Sequence, residues 1–316
     1  MNKLFLIKNP ELFQGENQTK SNSNYFEGWY FKNTNEKGGI SFIPGISIDK
    51  DGRKAFIQII TKDSSYYVSY DINDFSFSHE PFYIKLGKSF FSKDIIHIDI
   101  KDSSQKLNVY GDIKYSNSMN IDTDLLNPNI MGPFSYIPFM ECNHAVISMR
   151  SRVDGLININ HNKIKFKNGI GYIEKDWGCS FPKTYIWTQG NNFKDSNASF
   201  MLSIADIPFK VFNFKGIISS LIIDGKEYRF ATYNNTKLIK YEVGDNGVNI
   251  VLKNGKYYLE IKGDYDKGLK LIAPVKGKMK KDILESISAS IFVTLKKGNE
   301  VIFSNSSKNC GLEIVH

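Results

Sequence analysis

Short runs of Ile, Val, Phe and Tyr, cut every few residues by Gly, Asn or Asp, fill most of the chain and restrict its fold more than any other feature. Examples are "GGISFIPGISI" (38–48), "IIHIDIKD" (95–102), "KLNVYGDIKYS" (106–116), "NKIKFKNG" (162–169), "VNIVLKNGKYYLEIKG" (248–263) and "ASIFVTLK" (289–296). Runs this short, with apolar and polar residues alternating, fit strands buried on one face. Asp51-Gly52, Asp224-Gly225 and Asn254-Gly255 are the pairs that suit tight type I′ hairpin turns. Only 278–288 and 122–131 leave room for a short helix. Hairpin-linked strands without intervening helices predict an all-β protein of antiparallel sandwiches or barrels, not βαβ units.

The order of the runs repeats. "YFEGWYFKN…GGISFIPGISI…KAFIQI" in the first half resembles "KTYIWTQGN…ASFMLSIADI…FKGIISSLIIDG" in the second. "IIHIDIKDSSQKLNVYGDIKYS" likewise resembles "VNIVLKNGKYYLEIKGDYDKG". A chain of 316 residues is long enough for two domains. The expectation is two similar antiparallel β-barrel domains, 1–181 and 182–316, joined near 178–186. A stretch at that joint falls where two barrels meet, a favoured place for ligand pockets.

Composition removes several classes of function. Apolar residues make up 41% and charged residues 23%, a globular balance. No apolar run approaches the roughly 20 residues of a spanning helix. The apolar patch in "MNKLFLIKNPELFQ" is cut by Lys8, Pro10 and Glu11 with no cleavage site after it, which predicts a cytoplasmic protein. The net charge is +8, but the lysines are scattered and "GKMKKD" (277–282) is the only dense cluster. That describes a solvated surface, and no nucleic-acid partner is expected. Cys142, Cys179 and Cys310 are odd in number and far apart, which argues against a disulfide framework and a zinc knuckle. No phosphate-binding loop, dinucleotide fingerprint or GxSxG elbow is present. Glu141, Cys142 and His144 could bring three ligands together, but they read as a loop entering the strand "AVISM". Neither a metal nor a cofactor is expected.

Two stretches carry candidate chemistry. "GYIEKDWGCSFPKTYIWTQGN" (171–191) holds Glu174, Asp176 and two of the three tryptophans, Trp177 and Trp187. If 172–177 is extended, Tyr172, Glu174 and Asp176 share one face. Carboxyls that close, walled by indole, push one pKa upward, and a carboxylic acid kept neutral can give its proton to a weak base. The competing reading is a salt bridge with Lys175 or another base. "NYFEGWYFKN" (24–33) puts Tyr25, Glu27, Trp29 and Phe31 on one face, with Trp29 as a plug of the barrel base and Glu27 in need of a partner.

"YFEGWYFK" (25–32), "GPFSYIPFMECNHAVISMRS" (132–151) and "GYIEKDWGCSFPKTYIWTQGNNF" (171–193), in this order, resemble the tocopherol cyclase family. Beyond about residue 200 the resemblance rests on strand pattern and length. It implies two lipocalin-like β-barrels in tandem, an architecture similar to that of carotenoid hydratases. It also implies protonation of a trisubstituted isoprenoid double bond, with the tertiary cation captured by a phenol oxygen or by water and no redox cofactor. The Asn, Lys and Ile bias suggests an AT-rich bacterial genome, and no plastid transit peptide precedes the first motif, so the substrate need not be a tocopherol precursor.

Under this reading the proton donor is Asp176, Glu174 or Glu27, in that order. Asn143, Gln189 and Asn191 orient a polar head group, and His144 is counted among the substrate-binding residues. Trp29, Tyr30, Trp177 and Trp187 line the substrate site, where aromatic faces stabilise a cation. A second reading from another class uses the same cavity to bind a lipophilic molecule without turning it over. Either way the partner is a lipophilic small molecule, met in the cytoplasm or at the membrane surface.

Overall fold

The computed structural model describes residues 2–20, 24–138, 140–209, 212–265 and 267–316. Apart from the short helix α1 (Lys3–Lys8) and a few 3₁₀ turns, its regular elements are strands. The first sheet is built from β1 (Tyr25–Asn35), β2 (Gly38–Asp49), β3 (Gly52–Thr61), β4 (Ser65–Asp71), β5 (Phe75–His79) and β6 (Phe82–Leu86). It continues with β7 (Ser89–Phe91), β8 (Ile95–Asp102), β9 (Leu107–Met119), β10 (Cys142–Ile159) and β11 (Asn162–Gly178). The second comprises β12 (Tyr185–Gly190), β13 (Ala198–Phe209), β14 (Phe212–Ile223), β15 (Lys226–Ala231) and β16 (Lys237–Val243). Its remaining strands are β17 (Gly247–Asn254), β18 (Tyr257–Asp264), β19 (Leu269–Val275), β20 (Lys278–Lys297) and β21 (Glu300–Val315).

The repeat read from the sequence reappears as strand order. The first sheet runs β4-β3-β2-β1-β11-β10-β9-β8-β7-β6-β5, and the second runs β15-β14-β13-β12-β21-β20-β18-β17-β16 with β19 beside β20. In each, the first strand lies between its successor and the last strand. β3 reaches β6 in one and β15 reaches β17 in the other, so each antiparallel sheet curls toward closure. The all-β expectation is met. Among the described residues no helix is long and apolar enough to cross a membrane.

Contacts divide the chain into two compact units. One comprises Met1–Asn120, Ser135–Phe181 and Leu271–Asp282; the other comprises Ile121–Phe134, Pro182–Lys270 and Ile283–His316. Each has its own core. The first gathers Trp29, Phe31, Phe42, Ile57, Phe91 and Ile173 among others, and the second Ile186, Phe200, Leu221, Ile261, Ile291 and Leu312. Trp29 and Trp187 align in the repeat but face differently. Trp29 is fully buried in the first core, while Ile186 fills the second and its neighbour Trp187 lies against Gly311 on the other face.

The stretch 278–288, where the sequence left room for a short helix, is the first half of strand β20. Ile283 and Ile287 are both buried, and their four-residue spacing satisfies a helix and a strand equally. Pairing decides it, because Glu285 and Ser286 lie opposite Glu313 and Leu312 of β21. The other stretch with room for a helix, 122–131, is irregular: Asp124 Oδ1 accepts from the N–H groups of Leu126 and Asn127 and closes a turn. Of the three turn pairs, only Asp224-Gly225 has positive φ at both residues (48° and 82°), as type I′ requires. At the first, Asp49 pairs with Gly52, so the loop is Lys50-Asp51 and Gly52 opens the next strand.

A buried ion pair ties the N-terminal segment into the first core. Lys175 Nζ lies 2.5 Å from Glu27 Oε1, with both side chains fully buried, and donates to the carbonyls of Pro10 (2.8 Å) and Leu12 (2.5 Å). Glu27 also accepts from the Gln14 N–H (2.8 Å) and the Tyr25 hydroxyl (2.6 Å), and Trp29 Nε1 donates to the Glu11 carbonyl (2.8 Å). Burial holds the Lys175 pKa below its ordinary value, with Glu27 opposing that shift. Lys175→Met strands the Glu27 charge and should lower unfolding stability by about 3 to 5 kcal/mol in urea titrations. Adding Glu27→Gln should restore much of the loss. A single variant as stable as wild type would contradict this account.

Candidate functional site

β11 lies between β1 and β10, and the register of the three strands builds the site. Gly28, Asp176 and His144 form one cross-strand row, and Tyr30, Glu174 and Val146 the next. Because side chains alternate, Tyr172, Glu174 and Asp176 share one face, and Lys175 points through the sheet to Glu27 on the other. The two-residue spacing read from the sequence is therefore met.

His144 stands between the two acids. Its Nδ1 is 2.9 Å from Asp176 Oδ1, and its Nε2 is 3.4 Å from Glu174 Oε2. The side chains of Glu174, His144 and Asp176 are 6%, 12% and 23% exposed, so Asp176 is the member most open to solvent. The Tyr172 hydroxyl donates to Glu174 Oε2 at 2.6 Å, and the Cys142 thiol lies 3.8 Å from Asp176 Oδ1. On the same face Tyr30 OH accepts from Ser41 Oγ at 3.2 Å.

Burial works to lower the His144 pKa, but Asp176 and then Glu174 outweigh it and hold it at about 9. Burial first, and Glu174 second, push the Tyr172 phenol well above its usual range; burial, then Asp176, do the same to the Cys142 thiol. The site therefore holds a proton on an imidazole at neutral pH, flanked by two carboxyls and two neutral donors.

His144, Glu174 and Asp176 present ligand atoms within 4.8 Å of one another, close enough for one metal ion. An imidazolium has two N–H donors and no lone pair to give, so ligation would have to displace its proton. Without a metal, the three groups are held by the pairings of His144 with Asp176 and Glu174. The melting temperature should accordingly be unchanged by excess EDTA, and a fall reversed by a single divalent metal would show ligation instead.

The other expected site residues are distributed as follows. Glu27 is on the opposite face with Lys175, apart from the His144 group. Trp29 and Trp177 are on Glu27's side too, with Lys175 Nζ 4.7 Å and 4.9 Å from their ring centroids. Asn143 pairs across to Trp177 and donates to its carbonyl at 3.3 Å. Trp187, Gln189 and Asn191 are buried and belong to the second unit. Two neighbours of the His144 group, Tyr172 and Cys142, were weighed in the sequence but not counted among the expected site residues. Tyr172 carried a usable signal, its two-residue spacing from Glu174. The partnership of His144 with both acids had none, because His144 and Asp176 are 32 positions apart in the chain and meet only through the pairing of β10 and β11.

The family model described as tocopherol cyclase-like matches residues 122–315, which include β10 and β11. The chain belongs to the tocopherol cyclase-like family. A relative from Oryza sativa subsp. japonica, named a probable chloroplastic tocopherol cyclase, is 27% identical over 109 residues, covering 33% of this chain and 23% of the relative. The match thus spans under a quarter of that protein. Among solved structures, a candidate AttH from Nitrosomonas europaea is 13% identical with TM-score 0.54, covering 96% of both chains. Kievitone hydratase from Nectria haematococca is 9% identical with TM-score 0.51, covering 96% of this chain and 93% of its own. At such identities these two likenesses show the fold, which is lipocalin-like.

The raised His144 pKa makes stability depend on pH. Below 6.5 the imidazole is protonated in both folded and unfolded chains, and its stabilisation is fully present. That contribution is lost as pH rises through about 9. The loss should be on the order of 2 to 3 kcal/mol in urea titrations across this window. His144→Gln should flatten that part of the profile. An equally steep profile in the variant would place the titrating group elsewhere.

Proposed function

We propose that the protein is an enzyme of acid-catalysed cyclisation or hydration, acting on a prenyl double bond of a lipophilic isoprenoid or quinol substrate. The observation that carries the reading is the proton held on His144 between Asp176 and Glu174, in a chain of the tocopherol cyclase-like family.

Asp176 is the most exposed member and the donor to substrate, with its proton drawn from His144 Nδ1 through their hydrogen bond. Protonation of one alkene carbon leaves a tertiary cation on the other. A phenol oxygen of the same molecule, or water, then forms the new C–O bond, and the O–H proton released returns to the Asp176–His144 pair. Proton count is restored and no electrons are exchanged. The acidic side chains on either side of His144 favour a developing cation beside them. Glu174 orients the imidazole, Tyr172 holds Glu174, and Tyr30 offers an aromatic wall on the same face. The inferred setting is the cytoplasm or its membrane surface, where such substrates reside.

One feature favours a second reading, that of a lipophilic-ligand binder. An imidazolium with a pKa of about 9 is a weak acid for an isolated alkene. Incubation with a cell lipid extract followed by mass spectrometry separates the two. Cyclisation gives an isomer of unchanged mass and shifted retention, hydration adds one water, and binding alone co-purifies an unaltered lipid. Asp176→Asn should fold normally and lose turnover by a factor on the order of 10² to 10⁴. Glu174→Gln should lose less. Unaltered lipid from wild type and variant alike would favour the binder.

A further inference from the structure

The second unit carries a groove on the outer face of its sheet. Glu242, Asn249, Lys262, Phe292 and Ser306 follow one another as direct cross-strand partners on β16, β17, β18, β20 and β21. Their chain neighbours Val248, Ile261, Ile291 and Val293 are in the core, so this row points outward. Asp264 and Ser290, themselves cross-strand partners, lie one step along. Together they line a cavity of about 580 Å³, within the size range of small-molecule sites.

Its chemistry is mixed in a particular way. Phe292 is 45% exposed, so the groove presents an aromatic ring to solvent. Around the ring stand a primary ammonium (Lys262), a carboxyl (Asp264), a hydroxyl (Ser290) and a carboxamide (Asn249). The amide nitrogen of Asn249 donates to Glu242 Oε2 at 2.8 Å, which leaves its oxygen turned to other donors. Among the described residues, the side chains of Lys262, Asp264 and Ser290 make no hydrogen bond or ion pair. The groove thus offers donors and acceptors side by side around one apolar plate.

A purely apolar ligand would strip water from these polar groups without replacing their hydrogen bonds. An anion would face the Asp264 carboxyl, while Glu242 is already held by Lys240 at 2.9 Å. A neutral sugar ring meets both demands, because one face of a pyranose is C–H and its rim is hydroxyl groups that donate and accept. We propose that this groove is a saccharide-binding site, with a pyranose ring packed on Phe292 and its hydroxyls read by Lys262, Asp264 and Ser290. Such a site is independent of the His144 group and of the reaction assigned to it.

Calorimetric titration of the full chain with maltotriose, cellotriose and triacetylchitotriose tests this. At least one should bind saturably with a Kd of about 1 mM, typical of an open groove with few contacts. Phe292→Ala and Asp264→Ala should each weaken that binding about tenfold or more, with the melting temperature unchanged, since both side chains are exposed. Absence of saturable binding by all three sugars overturns the proposal, as does binding that survives Phe292→Ala. A dimer in sedimentation equilibrium that Phe292→Ala splits would also overturn it, because the groove would then be a contact between copies.

Discussion

β11 is buried on both faces and charged on both, and the first unit is arranged around that conflict. On the core side Lys175 is satisfied by Glu27, two backbone carbonyls and the faces of Trp29 and Trp177. A fully buried ammonium is tolerable only with such a set of partners. Those partners come from three places in the chain: β1, β11 and the segment around residues 10–14. The ion pair therefore specifies which strands lie together and where the N-terminal segment runs. Net stabilisation from such a pair is modest, but mispairing is heavily penalised.

The opposite face inherits its geometry from the same alternation. Once Lys175 is committed to Glu27, Glu174 and Asp176 must project the other way, and the β10 register brings His144 across from Asp176. Two carboxyls alone on that face would repel. An imidazolium between them removes the repulsion and stores a proton in a site only partly open to water. A single strand thus divides two tasks: one face holds the fold and the other gathers His144 with its two acids.

The sequence showed the carboxyls and their spacing but not their company. Glu174 and Asp176 share a face because of a local period, and local periods are legible. Indole desolvation was expected to tune them; the geometry supplies a histidine instead, while the Trp177 ring is taken by Lys175. Glu27 was legible as a carboxylate needing a partner, and the partner is the lysine first weighed as a neighbour for the other two acids. The stretch 278–288 was open between helix and strand for a related reason, since Ile283 and Ile287 suit two periods and only pairing with β21 selects one.

By itself, the sequence determined the all-β class, the strand order repeated in two halves, the motifs of a tocopherol cyclase-like chain, and the alternation that separates Lys175 from Glu174 and Asp176. These follow from turn residues and two-residue periodicity, which act over a few neighbours. Tertiary structure alone decided that Trp29 faces a core while its repeat counterpart Trp187 does not, and that His144 stands between the two acids. It also decided that residues from five strands line an outer groove. Each of these depends on register between strands distant in the chain. Register is set by the sum of core burial and buried charge pairing across a whole sheet, a quantity no short window of sequence contains.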